Sequence, residues 1–490
     1  MTVHLVGAGP GDPGFVTVRG AELLAIADVV IHDRLVDRGI LQLVRSGALV
    51  IDAGKQSGGA SITQEEINAL LIAHGQIDQV VVRLKGGDPY VFGRGGEEAA
   101  ALQSAGIAYS VVPGVSAISA APGAAGIPVT MRGVSSSMIV VAGQDAARSD
   151  NEALLDWDEL GKSRSTLVFL MAVARRAEIS KALISHGRSP DTPVAVIERA
   201  TTPEQRSRRC ALSELGDLGI DHSATIVIGE VAALSFASYE DRPLSGLSVA
   251  LTGLDAEWGS LATALQNMGA RTIACQTIAI EPPGDHGKAL RRALEKKDEY
   301  SWIVVASRNA VEAVLGVVRD ARGVAGPKIA AIGPATALAL SEHGVVADLV
   351  ASEANAEGLL AAFPVADSKD GKVLLPRASI GRDVLPDGIR ARGWQVEVIE
   401  AYRTIGLAVS PQSLVELTSA HAVVFTSSST VRALLSQVDK NDLPHLVVSI
   451  GPATTATLLA YGIPVALEAT RHDAIGIAES LALYFHNTDA

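Results

Sequence analysis

Three short segments bring together residue types able to hold a small charged molecule. Gly7-Ala8-Gly9-Pro10-Gly11-Asp12-Pro13-Gly14 follows the apolar run Val3 to Val6, Lys85-Gly86-Gly87-Asp88-Pro89-Tyr90-Val91 follows Val80 to Leu84, and Pro113-Gly114-Val115-Ser116-Ala117 follows Ser110 to Val112. Glycine lets a backbone approach a ligand closely, and Asp88 adds a carboxylate suited to an amine or a ribose. Asp33 follows a fourth apolar run, Val29 to Ile31, where a carboxylate can act as a base.

Gly9 to Gly14 formally matches G-x-G-x-x-G, so an NAD-dependent oxidoreductase is one reading. That motif works by aiming backbone N–H groups at a pyrophosphate, and Pro10 and Pro13 have none to offer. A ligand without phosphates, such as S-adenosylmethionine, suits the turn better. No G-x-x-x-x-G-K-[ST] occurs, so a phosphate-cradling loop is not supported.

Stepping from these turns to what carries them, short β-branched runs alternate with segments of helical period, such as Arg19 to Ala27 and Gln64 to Ala73. The alternation predicts α/β architecture with mostly parallel sheets. A second series starts at Ser248, and Leu234 to Gly246, rich in Ser, Asp, Arg, Pro and Gly, is the junction. The second series repeats itself: Ile303-Val-Val-Ala-Ser307 aligns with Val423-Val-Phe-Thr-Ser427, and Ile332-Gly-Pro-Ala-Thr336 with Ile450-Gly-Pro-Ala-Thr454. Two similar lobes are expected, their Ser/Thr-rich turns at strand ends, where ligands sit in open parallel sheets. The same turns would serve equally well as helix caps.

Composition narrows the classes. With 490 residues there is chain for about three compact units at roughly 150 residues each. A net charge of -13 and 4% aromatic residues leave neither a phosphate-neutralising surface nor stacking platforms, which argues against nucleic acid. Cys210 and Cys275 stand far apart with no CxxC, so neither a disulfide framework nor a metal site is expected, and a cytoplasmic setting fits. Ala99 to Met131 carries no charge, but Pro113, Pro122 and Pro128 interrupt it, so no membrane span is expected.

Together, Gly7 to Pro13, His32-Asp33-Arg34-Leu35-Val36, Arg83 to Pro89 with Phe92 to Glu98, and Val112 to Ala117 resemble uroporphyrinogen-III C-methyltransferase in order and spacing over residues 1 to 235. The second half is similar to uroporphyrinogen-III synthase through the duplicated turns, Leu374-Leu-Pro-Arg-Ala378 and Ile399-Glu-Ala-Tyr-Arg-Thr404. The resemblance implies a methylase-like α/β unit of two subdomains over 1–238, a linker over 239–246, and a two-lobed α/β synthase-like unit over 247–490. Its lobe one is expected at about 247–278 plus 405–490, and lobe two at about 279–404.

What the resemblance further implies is S-adenosyl-L-methionine as cofactor, with S-adenosyl-L-homocysteine as product, and Pro10, Gly86, Gly87, Asp88, Val91, Ser116, Ala117, Met171 and Ala200 around it. Asp33 and Lys55 take the places of proton acceptor and donor, and Tyr402 that of the acid in the synthase half. The substrates would be small tetrapyrroles bearing carboxylates, on the way to sirohaem or cobalamin. Arg34, Arg38, Arg83, Arg94 and Arg132 are expected to line their cleft, since guanidinium forks suit carboxylates. Ser307, Thr336, Arg377, Ser427, Ser428 and Thr454 are the binding candidates of the second half, and a homodimer through the methyltransferase half is expected. A methyltransferase carrying a non-catalytic tetrapyrrole-binding module stands as the alternative. Departures include Thr130-Met131-Arg132 where the methyltransferases show Thr-His-Arg, and Thr252-Gly253 without a following arginine.

Overall fold

The computed structural model describes residues 2–34, 36–45, 47–54, 62–77, 79–143, 155–220, 224–254, 259–353, 355–366, 371–379 and 383–488. Four sheets divide the chain. The first holds β1 (Thr2–Gly7), β2 (Val29–His32), β3 (Leu49–Asp52), β4 (Val80–Lys85) and β5 (Tyr109–Val112) in the order β3-β2-β4-β1-β5. All its pairs are parallel, so all five strands end on one edge. Both faces are covered, as strands this apolar require. Val3, Leu5, Val29, Ile31 and Val81 pack with Ile67, Leu71, Ala99 and Leu102 from helices Gln64–Gly75 and Gly95–Ser104. On the other face Val6, Val30, Val82 and Leu84 meet Leu23, Leu24 and Ile40.

Helix Ala117–Ala124 leads to the second sheet, β6 (Met138–Ala142), β7 (Thr166–Leu170), β8 (Pro193–Glu198), β9 (Arg206–Ala211) and β10 (Ala224–Ile228), ordered β6-β7-β10-β8-β9. Here the expectation of mostly parallel pairing is corrected: only β6 and β7 run parallel, and β10 pairs antiparallel with both β7 and β8. The short turn 199–205 between β8 and β9 can close only an antiparallel hairpin.

The chain enters the third sheet with β11 (Ser248–Thr252) and β12 (Arg271–Cys275). It then builds the fourth from β13 (Ile278–Glu281), β14 (Trp302–Val305), β15 (Lys328–Ala331), β16 (Leu349–Val350), β17 (Lys372–Ala378) and β18 (Gln395–Gly406). It returns with β19 (Ala422–Phe425), β20 (Leu446–Ser449) and β21 (Leu467–Glu468). The two crossings lie side by side, with Leu407 N–H donating to Thr277 O at 2.8 Å. The repeat read in the sequence is physical: Ser307 and Ser427 cap helices Arg308–Gly316 and Ser428–Leu435 with the same backbone, φ -170° and -167°. Among the described residues no helix is long and apolar enough to cross a membrane.

Candidate active sites

At the edge where β1, β4 and β5 end, the three glycine turns converge. Gly87 N–H donates to Gly9 O at 2.7 Å, and Gly9 N–H to Gly87 O at 3.2 Å. A Cβ on Gly7 or Gly114 would strike the other's backbone and Gly87 O, so these turns touch only because both are glycine. Asp88 is spent on holding them together: its Oδ1 accepts from Tyr90 N–H at 2.8 Å and its Oδ2 from Gly114 N–H at 3.0 Å. Each oxygen keeps a further acceptor lone pair. Ser116 caps helix Ala117–Ala124, which packs against β7 and β10.

The turn bearing Pro10 meets the β8–β9 hairpin. A Cβ on Gly11 would lie 3.1 Å from Ala200 O, and Asp12 N–H donates to Thr201 Oγ1 at 3.1 Å. Met171, directly after β7, is 43% exposed and holds a left-handed backbone at φ 55°, as do Phe92 and Arg94 after β4. Such conformations cost roughly 1–3 kcal/mol in non-glycine residues and gather at ligand sites. The three turns thus meet at Gly9, Gly87, Asp88 and Gly114, and the hairpin bearing Ala200 meets the first of them at Gly11 and Asp12, while Pro10, Gly86, Val91, Ser116 and Ala117 are neighbours of these residues in the chain. Met171 follows the strand on which helix Ala117–Ala124 packs.

Asp33 sits beside this cluster. Its Oδ2 accepts from Gly86 N–H at 3.4 Å, and its Oδ1 is ion-paired with Arg83 Nη2. Here one expectation is corrected: Arg83 does not line a cleft but is 1% exposed inside the sheet. Its Nε donates to Glu98 Oε1 at 3.0 Å and its Nη1 to Ile31 O at 3.3 Å. Glu98 Oε1 also takes Lys85 Nζ at 2.8 Å, completing a buried chain of two cations and two anions with Asp33 at its half-exposed end. Burial, then the charge of Arg83, push the Lys85 ammonium below its ordinary pKa.

The other arginines differ. Arg94 is exposed and its Nε and Nη2 pair with Glu97 at 2.8 and 2.7 Å. Arg34 and Arg132 are exposed. Arg38 opens helix Arg38–Leu41, with its side chain outside the described residues, and Lys55 lies wholly outside them.

In the second half a cavity of about 430 Å³ lies between the two sheets, lined by Thr252, Ser260, Asn309, Tyr402, Thr404 and Ser427 among others. Tyr402 Oη stands 3.0 Å from Ser307 Oγ. Among the described residues none of the lining is charged, but helices Ser260–Asn267, Arg308–Gly316 and Ser428–Leu435 all begin at its wall. Their N-terminal N–H groups and positive dipole ends can receive carboxylates without a cation.

Sequence reasoning found Tyr402 and Ser427 and missed Asn309, Ser429, Thr404 and Thr426. Asn309 and Ser429 each stand two residues past a capping serine, so the repeat itself could have supplied them. Four candidates are corrected. Thr336 and Thr454 are 5% and 3% exposed, third residues of helices Pro334–Glu342 and Pro452–Ala460 and turned from solvent. Ser428 donates to Ala453 O at 3.1 Å and bonds Thr457 Oγ1 at 2.7 Å, tying two helices together. Arg377 pairs with Asp383 at 2.9 Å.

Comparison with known proteins agrees with this division. The family Tetrapyrrole (Corrin/Porphyrin) Methylases matches residues 2–216, and Uroporphyrinogen-III synthase HemD matches residues 259–479. Porphyrin biosynthesis protein HemD of Ruminiclostridium josui is 33% identical over 476 residues, 94% of each chain. Siroheme synthase of Tolumonas auensis is 48% identical over 235 residues, which are 48% of this chain and 50% of that one. The chain spans about half the length of the siroheme synthases it matches. Uroporphyrin-III C-methyl transferase from Thermus thermophilus, solved with S-adenyl homocysteine, is 40% identical over 47% of this chain and 98% of its own, with a TM-score of 0.41.

The family matches define a two-part enzyme of tetrapyrrole biosynthesis, a methylase followed by a uroporphyrinogen-III synthase. The chain belongs to the family of fused uroporphyrinogen-III C-methyltransferase and uroporphyrinogen-III synthase that includes porphyrin biosynthesis protein HemD.

Proposed function

We propose that the second half closes hydroxymethylbilane to uroporphyrinogen III and that the first half methylates this product twice, giving precorrin-2. The convergence of three glycine turns beside Asp33 is the observation that most supports the methyltransferase reading. S-adenosyl-L-methionine, when bound, supplies an electrophilic methyl on sulfur and leaves as S-adenosyl-L-homocysteine. Gly7 and Gly114 let the turns close on each other, and a Cβ on Gly87 would meet nothing within 4 Å, so open space for such a ligand lies beside the joined turns. Pro10, Gly86, Gly87, Asp88, Val91, Ser116, Ala117, Met171 and Ala200 would hold it.

Asp33 accepts the proton that the ring system sheds elsewhere as the pyrrole β-carbon takes the methyl; Arg83 and Gly86 N–H keep the carboxylate aimed. Lys55 returns a proton in the same scheme. Holding carbon, methyl and sulfur in line is worth up to about 7–11 kcal/mol, so most of the task is positioning. In the synthase cavity Tyr402, hydrogen-bonded to Ser307, protonates the departing hydroxyl of the bilane, while the three helix N-termini receive its carboxylate arms. The first half also forms a homodimer in this reading, and Leu49 and Val50, exposed on edge strand β3, suit a contact between copies.

The full chain, given hydroxymethylbilane and S-adenosyl-L-methionine, should yield a doubly methylated product heavier than uroporphyrinogen III by two CH2 units, since each methyl is added with loss of a proton. Tyr402→Phe should block this, yet leave methylation of supplied uroporphyrinogen III intact. A chain that methylates supplied uroporphyrinogen III but never closes the bilane would make the second half a tetrapyrrole-binding module. Failure to bind S-adenosyl-L-methionine would end the methyltransferase reading.

A further inference from the structure

A second cavity, of about 440 Å³, lies at the seam between the two halves, away from both sites above. One wall is the β8–β9 hairpin with Arg199, Arg206 and Arg208; the other holds Arg271 and His421, at the starts of β12 and β19. The synthase cavity opens at the opposite ends of β11 and β19, at Thr252 and Thr426. Four guanidinium groups face the seam against two carboxylates, Glu198 and Glu204, in a chain whose net charge is -13.

Two of the four are already paired, Arg208 with Glu198 at 3.4 Å and Arg271 with Glu416 at 2.8 Å and Glu204 at 3.5 Å. Arg199 and Arg206 are exposed and have no carboxylate partner among the described residues. Arg199 is held at φ 46°, a left-handed conformation for a residue other than glycine. His421 Nδ1 accepts from Ser248 N–H at 3.0 Å, so the proton of its neutral ring lies on Nε2, a further donor. Unpaired guanidinium groups and one imidazole N–H suit an acceptor with several oxygens on separate arms.

We propose that this seam is a binding site for a polycarboxylate. A cavity of this size takes a small tricarboxylate whole, or one edge of a tetrapyrrole; the second source rests on the function proposed above.

The full chain is tested with two probes, citrate and uroporphyrin III, by hydrogen exchange and by titration at low and high salt. At least one probe should slow exchange in 198–208 and 246–248. The double variant Arg199→Ser, Arg206→Ser should weaken that probe about tenfold or more, with an unchanged melting temperature and wild-type closure of hydroxymethylbilane. Protection by citrate alone identifies a small polycarboxylate, and by uroporphyrin III alone a tetrapyrrole edge. Exchange unaltered by either probe, or equal affinity in the double variant, overturns the proposal. Absent methyl transfer with seam protection intact would sink the proposed function and leave the seam site standing.

Discussion

Arg83 binds Asp33 from inside the sheet, so the carboxylate at the edge of the donor cluster is aimed by a guanidinium that solvent does not reach. The same guanidinium is anchored on Glu98, one turn into helix Gly95–Ser104, and Glu98 is shared with Lys85. Aim and fold are coupled here, because each cation also cancels a buried carboxylate's cost.

Changing two adjacent members of this chain should therefore give different losses. Asp33→Asn keeps the shape and removes the proposed base, and should lower methyl transfer about 10²- to 10⁴-fold while hydroxymethylbilane closure is unchanged. Arg83→Met strands Glu98 with one cation and should cost about 3–5 kcal/mol in urea unfolding of the first half. Equal activity of Asp33→Asn and wild type would exclude Asp33 as the base.

The glycine turns separate two kinds of constraint. Gly114→Ala puts a methyl into Gly87 O and the Gly7 backbone, so the turns must part and the affinity for S-adenosyl-L-methionine should fall at least about tenfold. Gly87→Ala meets nothing within 4 Å, and its fault is a left-handed φ of 65°, with a cost of about 1–2 kcal/mol. Calorimetric titration of both variants would show the order; a tighter-binding Gly114→Ala would refute the close-approach argument.

These differences mark how far the chain could be read before folding. The turns were legible because glycine, proline and aspartate at strand ends have few other uses. Arg83 was misread because a guanidinium beside a motif looks like a ligand for carboxylates. Yet Val81, Arg83 and Lys85 share one face of β4 by the two-residue period, the face covered by helix Gly95–Ser104 that carries Glu98. Thr336 and Thr454 were likewise misplaced by taking a Gly-Pro turn to be loop when Pro334 and Pro452 already begin helices. The seam cavity was illegible, since it exists only where the hairpin of one half meets strand starts of the other.

Cys275 gives a pH dependence with a definite sign. Burial, and then the charge of Glu416, push its thiol up to about 12. A folded pKa above the ordinary value of about 8.5 means the fold favours the protonated thiol, a contribution complete below that pH and lost as pH rises through about 12. Stability should thus decline over this alkaline window, and Cys275→Ala should flatten the decline in urea titrations. A Cys275→Ala curve parallel to wild type would assign the alkaline loss to other groups.

The stretch between the halves is packed on both neighbours. The Tyr239 ring stacks on Phe15 with centroids 6.4 Å apart, and its hydroxyl donates to Asp12 Oδ2 at 3.3 Å. Arg242 lies 3.5 Å over the same ring and donates to Gln266 O, at 3.4 Å, near the end of the helix whose start lines the synthase cavity. Burial, then the charge of Asp12, raise the Tyr239 phenol above its ordinary pKa, so it remains a proton donor to Asp12 at neutral pH. Tyr239→Phe keeps the stack and loses one hydrogen bond of about 0.5–1.5 kcal/mol, which should raise the KM for S-adenosyl-L-methionine roughly two- to tenfold with kcat unchanged. Tyr239→Ala also loses the stack and the cation above it, and should lower the melting temperature as well. Because Arg242 reaches the synthase half, Arg242→Ala should produce part of the same KM change without touching the donor turn. If steady-state kinetics show wild-type KM in Tyr239→Ala, the packing of this stretch has no bearing on the methyl donor.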